Sequence, residues 1–321
     1  MKWKFILGLV ISVVFVYLSV QGIQFNQIWE SLKGINFLYM FLSIFCIPAL
    51  VIVRAYRWKL MLKPIKDISV QSLFSSTIIG FMANNILPFR VGEFVRTYSL
   101  SKKENISKSS ILATQIVERF YDMISIIIIA GVVLYFVELP EWFKKAGYSI
   151  TSVSIAGLII TILIIKFQSK AVKIFNFISR WFPEHLRIRL TEIFEHVLDG
   201  LNTMKNYRNY FLIVITSFFV WIISAAQIAI LYKAFSFSAL PVYSSVIVLV
   251  MTIFVIALPQ SPGFVGGFHF ACKEGLLIFG IAPGAALGFA IIYHAVNYLT
   301  ITLMGLYYFA RENLKFSELR S

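Results

Sequence analysis

The sequence predicts an all-α integral membrane protein, organised as one polytopic domain with about eight transmembrane helices. Three observations support this fold class. Hydrophobic residues make up 59% of the 321 residues, charged residues only 14%, and the mean hydropathy is +0.82. A soluble domain carries about 25% charged residues, and no polar stretch here is long enough to form one. The apolar residues also gather into runs long enough to cross a bilayer.

Each predicted span is a run of roughly 20 mostly apolar residues. The spans lie at 5–21, 36–53, 109–137, 149–167, 210–232, 242–258, 264–281 and 284–310. Lys273 and Glu274 interrupt the span at 264–281, so both a full crossing and a re-entrant segment stay open there. The first span has the shape of a signal peptide, but its tail lacks a small-x-small cleavage site, and we expect it to be retained.

Basic residues set the predicted orientation, because cytoplasmic loops are enriched in Lys and Arg. Basic clusters precede the first span, flank segment 70–88, and recur in connection 166–209 and in the C-terminal tail. We therefore expect both termini on the cytoplasmic side. Since both flanks of 70–88 should be cytoplasmic, that segment should enter and return as a re-entrant hairpin or a pair of half-helices. Asn84, Asn85 and Pro88 would then lie on its return.

The connection between the fourth and fifth spans contains an amphipathic segment at 183–201, with apolar residues at helical spacing. This pattern is typical of a helix on the inner membrane surface, and equally of a helix packed on the bundle. The formal net charge of +14 fits cytoplasmic loops that contact anionic lipid. No basic-aromatic module points to nucleic acid. Neither a Walker P-loop nor zinc-ligand spacing is present in the sequence, and we expect no cofactor and no metal.

A polar interruption follows the apolar run 73–83. It contains Asn84, Asn85, Pro88, Arg90, Gly92, Glu93 and Arg96. Polar groups beside broken helix are costly in a membrane and are kept where something polar is handled. Arg90 and Arg96 are therefore candidates to hold a phosphate bidentately, with Glu93 able to pair with either arginine. The alternative is a positive-inside loop with a structural ion pair.

A second candidate group lies near the inner end of the long span 109–137. It comprises Gln115, Glu118, Arg119 and Asp122. Glu118 and Asp122 share a helix face at spacing i, i+4. We expect this acidic pair to face Arg90 and Arg96 across the bundle. A helix end with its own salt bridge is the alternative.

A third candidate group partly repeats the first, since both contain Leu-Pro followed by Val-Gly-x-Phe. Its members are Pro259, Ser261, Gly263, Gly266 and His269. Glycines let backbone approach a ligand closely, and interrupted segments in both halves of a membrane protein predict a transport site at depth. A tight turn between helices is the alternative.

Four more polar residues lie inside predicted spans and are binding candidates on that ground. They are Lys273, Glu274, His294 and Asn297. For His294, a hydrogen bond to a neighbouring helix is nearly as good an explanation. By contrast, Arg54, Arg57 and Trp58 follow the predicted end of the second span. We expect them to be interface anchors that contact lipid.

Three blocks carry a family resemblance: residues 87–96, 118–122 and 259–267. In this order they resemble the lysylphosphatidylglycerol synthase transmembrane (flippase-like) family. The resemblance covers nearly the whole chain and implies lipid translocation. In bifunctional relatives the membrane half is thought to move aminoacylated phosphatidylglycerol to the outer leaflet, while a separate soluble domain makes that lipid. We expect no such aminoacyltransferase domain within this chain.

The preferred hypothesis is thus a cell-membrane flippase for a phospholipid or a lipid-linked headgroup. Its partners would be anionic or phosphate-bearing lipids, without nucleic acid. One alternative is an integral-membrane lipid or polyprenyl-phosphate transferase with Glu93 or Asp122 as base; the lack of a sizeable donor-binding domain argues against an enzyme. Another is an accessory subunit of a separately encoded lipid-modifying enzyme. A homo-oligomer stays open.

Overall fold

The computed structural model describes residues 2–87, 90–136, 167–188, 207–237, 239–257 and 261–315, with isolated positions between 141 and 163 and at 190, 191 and 194. All regular secondary structure in these residues is helical. Pro88, Pro259 and most of the predicted span 149–167 lie outside them. The amphipathic segment 183–201 is helical at 184–188, and its place on the membrane surface stays a prediction.

Twelve helices are described in chain order. They are α1 (Lys2–Val20), α2 (Phe25–Lys33), α3 (Phe37–Ile44), α4 (Cys46–Leu62), α5 (Val70–Ile86), α6 (Gly92–Glu104), α7 (Lys108–Phe136), α8 (Gln168–Ser179), α9 (Tyr207–Ala234), α10 (Val242–Ala257), α11 (Gly267–Leu277) and α12 (Pro283–Arg311). A 3-10 turn at Pro262–Phe264 precedes α11.

Three helical stretches among the described residues are long and apolar enough to cross a bilayer. They are Phe37–Leu62 (α3 with α4), Asn209–Ala234 in α9, and Pro283–Arg311, which is α12. A fourth exists if α1 and α2, which are bent by 76° at their junction, form one broken span. The protein is therefore a membrane protein with several apolar helices. Eight spans and cytoplasmic termini stay predictions.

Helices α5 and α6 form a helical hairpin with its reversal at 87–91. Ser69 caps the start of α5 by accepting a hydrogen bond from the Ser72 amide at 3.1 Å. The helix then continues unbroken to Ile86. Leu87 is extended, with ψ 146°, as expected for a residue that precedes proline. Helix α6 returns along α5, and the Ser76 and Ser99 hydroxyl oxygens lie 3.1 Å apart between the two arms.

The expected position of Asn84 and Asn85 on a returning half-helix is therefore wrong. Both residues lie in the last turn of the first arm, α5. Their side-chain amides find hydrogen-bond partners without unwinding the helix. The reversal comes one turn later, and the returning arm is α6, which carries Glu93 and Arg96.

Helices α10 and α11 form a second hairpin. Gly275 of α11 lies against Val248 and Met251 of α10, so α11 folds back along its predecessor. Helix α11 has 11 residues, which is about 16 Å at the α-helical rise and short of the roughly 30 Å hydrocarbon core. Helix α11 alone is therefore too short to cross, and for the predicted span 264–281 a full crossing and a re-entrant segment both stay predictions.

Two apolar clusters surround these hairpins. One joins α9, α10, α11 and α12 and includes Val220, Val248 and Phe289, each fully buried. The other joins α4, α5 and α7 and includes Trp58 and Ile78. The first hairpin packs between α4, α7 and α12, which places its polar residues inside the bundle.

Candidate functional site

A buried ion network occupies the interface of α4, α6 and α7. Its members are Arg54 and Arg57 from α4, Arg96 from α6, and Glu118 and Asp122 from α7. The exposed fraction of these residues ranges from 0% to 7%. Charged groups are rare in such apolar surroundings because removing them from water is costly. We refer to these five residues as the ion network.

Arg57 joins the two carboxylates of the ion network. Its Nη1 donates to Asp122 Oδ1 at 2.7 Å, and its Nη2 donates to Glu118 Oε1 at 3.1 Å. Ser217 of α9 accepts a further hydrogen bond from Nη1 at 2.9 Å. Arg54 donates to the other oxygen of Asp122 at 3.0 Å. The carboxylates thus hold two arginines of one helix face in fixed positions.

Arg96 enters the network from the first hairpin. Its Nη1 donates to Glu118 Oε2 at 2.7 Å. Its guanidinium carbon lies 3.6 Å from the centre of the Trp58 ring, a cation–π contact. The indole of Trp58 is held in turn by a hydrogen bond to Thr114 Oγ1 at 2.9 Å. Of the expected pairing of Glu118 and Asp122 with Arg90 and Arg96, the Glu118–Arg96 contact is present. Asp122 pairs with Arg54 and Arg57 instead.

Arg119 and Glu93 form the rim of the network. Their closest charged atoms are 3.5 Å apart, and their side chains are 47% and 35% exposed. Arg119 also reaches inward, with its Nη1 3.4 Å from Asp122 Oδ2. The sequence predicted that Glu93 could pair with Arg90 or Arg96; the ion pair described for its carboxylate is with Arg119. The rim connects the buried charges to the surface.

The ion network carries an excess of positive charge, with three arginines against two carboxylates. Several of its buried guanidinium nitrogens also have no acceptor among the residues that the structure describes: Arg54 Nε, Arg57 Nε, Arg96 Nε and Arg96 Nη2. Unpaired buried donors are costly, and arginine presents several donors in a planar fork suited to phosphate and carboxylate. The chemistry of the network therefore suits an anion.

Asn84 and Asn85 shape the tip of the first hairpin. Asn84 Oδ1 accepts a hydrogen bond from the Gly92 amide at 2.8 Å, closing the reversal. A side chain at Gly92 would overlap the Gly80 carbonyl oxygen, so only glycine lets the two arms approach this closely. Asn85 donates to Thr302 Oγ1 of α12 at 3.1 Å. Both amides thus serve the hairpin geometry.

The two segments that share the Leu-Pro and Val-Gly-x-Phe pattern meet in space. A Cβ at Gly263 would lie 3.4 Å from the Asn85 carbonyl oxygen, and Gly263 has a left-handed φ of 69°. The Arg90 guanidinium, also on left-handed backbone at φ 53°, lies 5.1 Å from the Phe264 ring centre. His294 Nε2 lies 2.7 Å from the Gly263 carbonyl oxygen. The tips of both hairpins therefore contact each other beside α12.

The remaining polar candidates on α11 and α12 have mainly local contacts. The rings of His269 and His294 have centres 4.7 Å apart. Asn297 donates to the Tyr293 carbonyl of its own helix at 2.9 Å. His294 thus contacts both His269 and the tip of the second hairpin, and Asn297 bonds within its own helix.

Ser261, Gly266 and Lys273 contact α1 instead. The Ser261 amide donates to Ser12 Oγ at 2.8 Å, and a Cβ at Gly266 would meet the Ser12 carbonyl. Lys273 Nζ donates to the carbonyl of Leu18 at 2.9 Å and lies 3.3 Å from Glu274. These residues join the second hairpin to the first helix.

The comparison with known protein families shows which family this chain belongs to. The family model described as lysylphosphatidylglycerol synthase TM region matches residues 5–305. The chain belongs to this family. The resemblance carried by the three sequence blocks is thereby confirmed.

Curated relatives are distant. The UPF0104 membrane protein MJ1595 of Methanocaldococcus jannaschii is 24% identical over 310 residues, covering 92% of this chain and 91% of the relative. MJ1078 of the same organism is 26% identical over 246 residues, covering 72% and 95%. Glycosyltransferase AglD of Haloferax volcanii is 23% identical over 267 residues, covering 73% of this chain and 42% of AglD. No solved structure matches.

The sequence analysis did not identify Arg54 and Arg57 as part of the ion network. Arg54, Arg57 and Trp58 are buried, so their expected role as lipid-contacting interface anchors is wrong. The error arose because the predicted span ended at residue 53, whereas α4 continues to Leu62. The available signal was the i, i+3 spacing of the two arginines, which places both on one helix face.

Proposed function

We propose that this protein moves a phosphate-bearing lipid, such as an aminoacylated phosphatidylglycerol, between the leaflets of the cell membrane. The observation that carries the proposal is the composition of the ion network. Three buried arginines face two carboxylates, and several buried guanidinium nitrogens have no acceptor in the part of the chain that the structure describes. A lipid phosphate supplies both the missing charge and the missing acceptors.

The carboxylates give the network a resting state. A phosphate that enters would accept hydrogen bonds from Arg96 and Arg57 in place of Glu118. On release of the lipid, Glu118 and Asp122 would pair with the arginines again. Because a buried arginine without any partner is strongly unfavourable, this exchange keeps the empty protein folded and prevents permanent capture of the anion.

The rim provides the access route in this proposal. The Arg119–Glu93 contact is long, at 3.5 Å, and both side chains are partly exposed, so the contact contributes little to stability. Separation of the two residues would open the network to a headgroup while the acyl chains stay in lipid. The tips of the two hairpins contact each other at Arg90, in the same reversal. In this proposal the tips would also have to separate, at a place different from the rim.

Translocation of a labelled phospholipid in proteoliposomes tests the proposal. Dithionite quenching of a fluorescent phosphatidylglycerol reports transfer from the inner leaflet. The double variant Arg96→Gln with Glu118→Gln removes one positive and one negative charge, so the net charge of the network is unchanged and Arg57 keeps Asp122 as its partner; it should reduce the rate at least about tenfold. Lys33→Gln, in an exposed pair with Glu30, should leave it unchanged.

Two outcomes would reject the flippase proposal. One is wild-type protein that does not transfer the lipid above the rate of protein-free vesicles. The other is a double variant that is monodisperse, thermally stable and as active as the wild type.

A second function is favoured by the similarity to glycosyltransferase AglD, of which this chain matches 42% of the length. In that case the protein would hold a lipid-linked phosphate for a separately encoded transferase. The test is product formation from a polyprenyl phosphate by a reconstituted transferase with and without this protein. Equal product in both reactions would reject this role.

A further inference from the structure

A pair of histidines joins the second hairpin to α12. The ring centres of His269 on α11 and His294 on α12 are 4.7 Å apart, and the ring planes are tilted by 59°. Both residues are partly exposed, so protons can reach them in the folded protein. Histidine is the side chain whose ordinary pKa, about 6.5, places its change of charge near physiological pH. The pair is a place where a proton can bind between two packed helices.

Hydrogen bonds determine the tautomer of each neutral ring. A carbonyl oxygen can only accept, so His294 Nε2, which lies 2.7 Å from the Gly263 carbonyl oxygen, must carry a proton and donate it. His269 Nδ1 accepts a long hydrogen bond from the Gly266 amide at 3.4 Å, so this nitrogen carries no proton. In both neutral rings the proton is therefore on Nε2, and Nδ1 is unprotonated.

An additional proton would affect the two rings differently. On His269 it would occupy Nδ1, point at the Gly266 amide and break the hydrogen bond at the start of α11. On His294 it would also occupy Nδ1, but Nε2 would continue to donate to Gly263. That bond would become charge-assisted, and such bonds are about twice as strong as neutral ones. The additional proton thus favours His294.

Charged neighbours limit the pair to one additional proton. Lys273, one turn after His269 on α11, is positive and pairs with Glu274 at 3.3 Å. Arg90 of the first hairpin lies against the second tip, and two charged rings would repel these cations and each other. Helix α5 contains no ionisable side chain, and α10 has one only at its far end, Tyr243. The ionisable residues on the segments that contact the pair or its tip are Tyr17 of α1, Lys273 and Glu274 of α11, Tyr293 and Tyr298 of α12, and Arg90.

The bond between His294 and Gly263 lies where the tips of the two hairpins meet. Gly263 has left-handed backbone, and a Cβ there would come within 2.8 Å of the Tyr298 ring and 3.4 Å of the Asn85 carbonyl oxygen. The second tip is thus packed between α12 and the end of α5. Asn85 in turn donates to the Tyr298 carbonyl at 3.3 Å. Separation of the tips requires Gly263 to leave this position, and the bond from His294 opposes that movement.

We propose that His294 is a proton-binding site, and that its protonated ring holds the tip of the second hairpin against α12. The hairpin tips would then separate less often as the pH falls, by about fivefold, the difference between a charged and a neutral hydrogen bond. The consequence for lipid transfer rests on the proposed function, in which the tips must separate. The proton site and its effect on the tip do not.

Solid-state NMR of protein labelled with ¹⁵N-histidine, reconstituted in liposomes, tests proton binding directly. Spectra from about pH 8 to about pH 5 cover the ordinary range of histidine. His269→Asn and His294→Gln assign the signals. At the upper pH both rings should show the proton on Nε2, and at the lower pH His294 should be charged while His269 stays neutral. A His294 ring that is neutral throughout, or a charged His269 in its place, would overturn the assignment.

Hydrogen–deuterium exchange of segment 261–270 in detergent tests whether the proton holds the tip. After correction for the intrinsic effect of pH on amide exchange, wild-type protein should be about fivefold more protected at about pH 5.5 than at about pH 7.5. His294→Gln keeps a donor for Gly263 but cannot titrate, so its protection should not depend on pH. His185→Gln removes an exposed histidine and should behave as the wild type. A pH effect that survives in His294→Gln would overturn the inference.

Lipid transfer at the same two pH values distinguishes this inference from the proposed function. Albumin extraction of a fluorescent phosphatidylglycerol serves as the assay, because dithionite decomposes in acid. If wild-type protein and His294→Gln transfer lipid with the same pH dependence, the inference fails and the proposed function stands. If protection of the tip follows protonation of His294 but the wild-type protein transfers no lipid, the proton site stands and the proposed function fails.

Discussion

Glu118 accepts a hydrogen bond from Arg96 at 2.7 Å, and the side chains of the two residues are 0% and 1% exposed. A buried ion pair of this kind gains little net stability, because desolvation of both groups offsets their attraction. Removal of one partner is far more costly than the pair is worth. This asymmetry suits a site whose arginines must always face either a carboxylate or a ligand.

Replacement of Glu118 by Gln should destabilise the protein strongly. The variant leaves Arg57 and Arg96 without an anionic partner on that side of the network. The expected loss is about 3 kcal/mol in the free energy of unfolding, measured by thermal denaturation of the purified protein in detergent. Adding Arg96→Gln to this variant should recover part of the loss.

The control for this prediction is Glu30→Gln, which breaks an exposed ion pair with Lys33. Its effect should stay within about 0.5 kcal/mol. If Glu118→Gln were as stable as Glu30→Gln, the charged groups of the network would have to be hydrated or not closely paired, contrary to the structure.

Replacement of Gly92 by Ala should force apart the arms of the first hairpin. The added Cβ would collide with the Gly80 carbonyl oxygen and with Asn84 Oδ1, which holds the Gly92 amide. Overpacking of this kind costs about 1–3 kcal/mol, visible as a lower melting temperature. Gly34→Ala is the matched control, because Gly34 has no heavy atom within 4 Å of its would-be Cβ. Equal stability of the two variants would contradict the close approach.

The first hairpin shows how far sequence reasoning reaches. Basic residues on both sides of 70–88 led us to expect a reversal inside that segment. The structure shows a single helix over Val70–Ile86 instead, and the chain reverses after it, before α6 begins at Gly92. Asn84 and Asn85 were expected on the returning arm, but they end α5, and their amides bond to Gly92 and to α12, partners that only the folded bundle provides. Tertiary contacts of this kind leave no local pattern.

For the ion network, the sequence predicted one ion pair and missed two of the arginines. Glu118 and Arg96 were identified as partners because intramembrane charges need a counter-charge. Arg54 and Arg57 were assigned to the membrane surface, since a hydropathy window ends a span at its first charged residue. Their burial follows from the ion pairs with α7, which lies more than 60 residues away in sequence. Arg54 and Arg57 have i, i+3 spacing, and Glu118 and Asp122 have i, i+4 spacing. Matching these two helix faces by charge would have identified the two arginines as partners of the acidic pair.

A disulfide should form between the hairpin arms when Ser76 and Ser99 are both replaced by Cys. Their hydroxyl oxygens lie 3.1 Å apart, which is compatible with the short reach of a disulfide. Mild oxidation followed by peptide mass spectrometry detects the bond, in a background where Cys46 is replaced by Ala. Pairing Ser76→Cys with Ser12→Cys is the control, because Ser12 contacts Ser261 of the second hairpin. Absence of the first disulfide would refute the pairing of α5 with α6.

The contact between Lys66 and Glu104 should make stability depend on pH. Lys66 Nζ, in the turn before α5, lies 3.0 Å from Oε2 of Glu104, the last residue of α6, and joins the two ends of the first hairpin outside the predicted spans. Burial alone would raise the pKa of Glu104, but hydrogen bonds from Lys66 and Ser72 and the charge of Lys66 outweigh it and lower the pKa below its ordinary value. The carboxylate therefore stabilises the fold above the unfolded-state pKa of about 4.3, and this contribution disappears as pH falls through the lower folded-state pKa.

Melting temperatures of the wild type and of Glu104→Gln, measured from pH 7 down to the acid limit of the protein, test this dependence. The wild type should be the more stable protein at pH 7, and the difference should shrink below about pH 4, where the carboxylate becomes protonated. Glu184→Gln removes an exposed carboxylate and should show no comparable difference at any pH. A gap between the wild type and Glu104→Gln that stays constant to the acid limit would mean that the Lys66 contact does not tie the hairpin ends together, because the interaction requires the ionised carboxyl group.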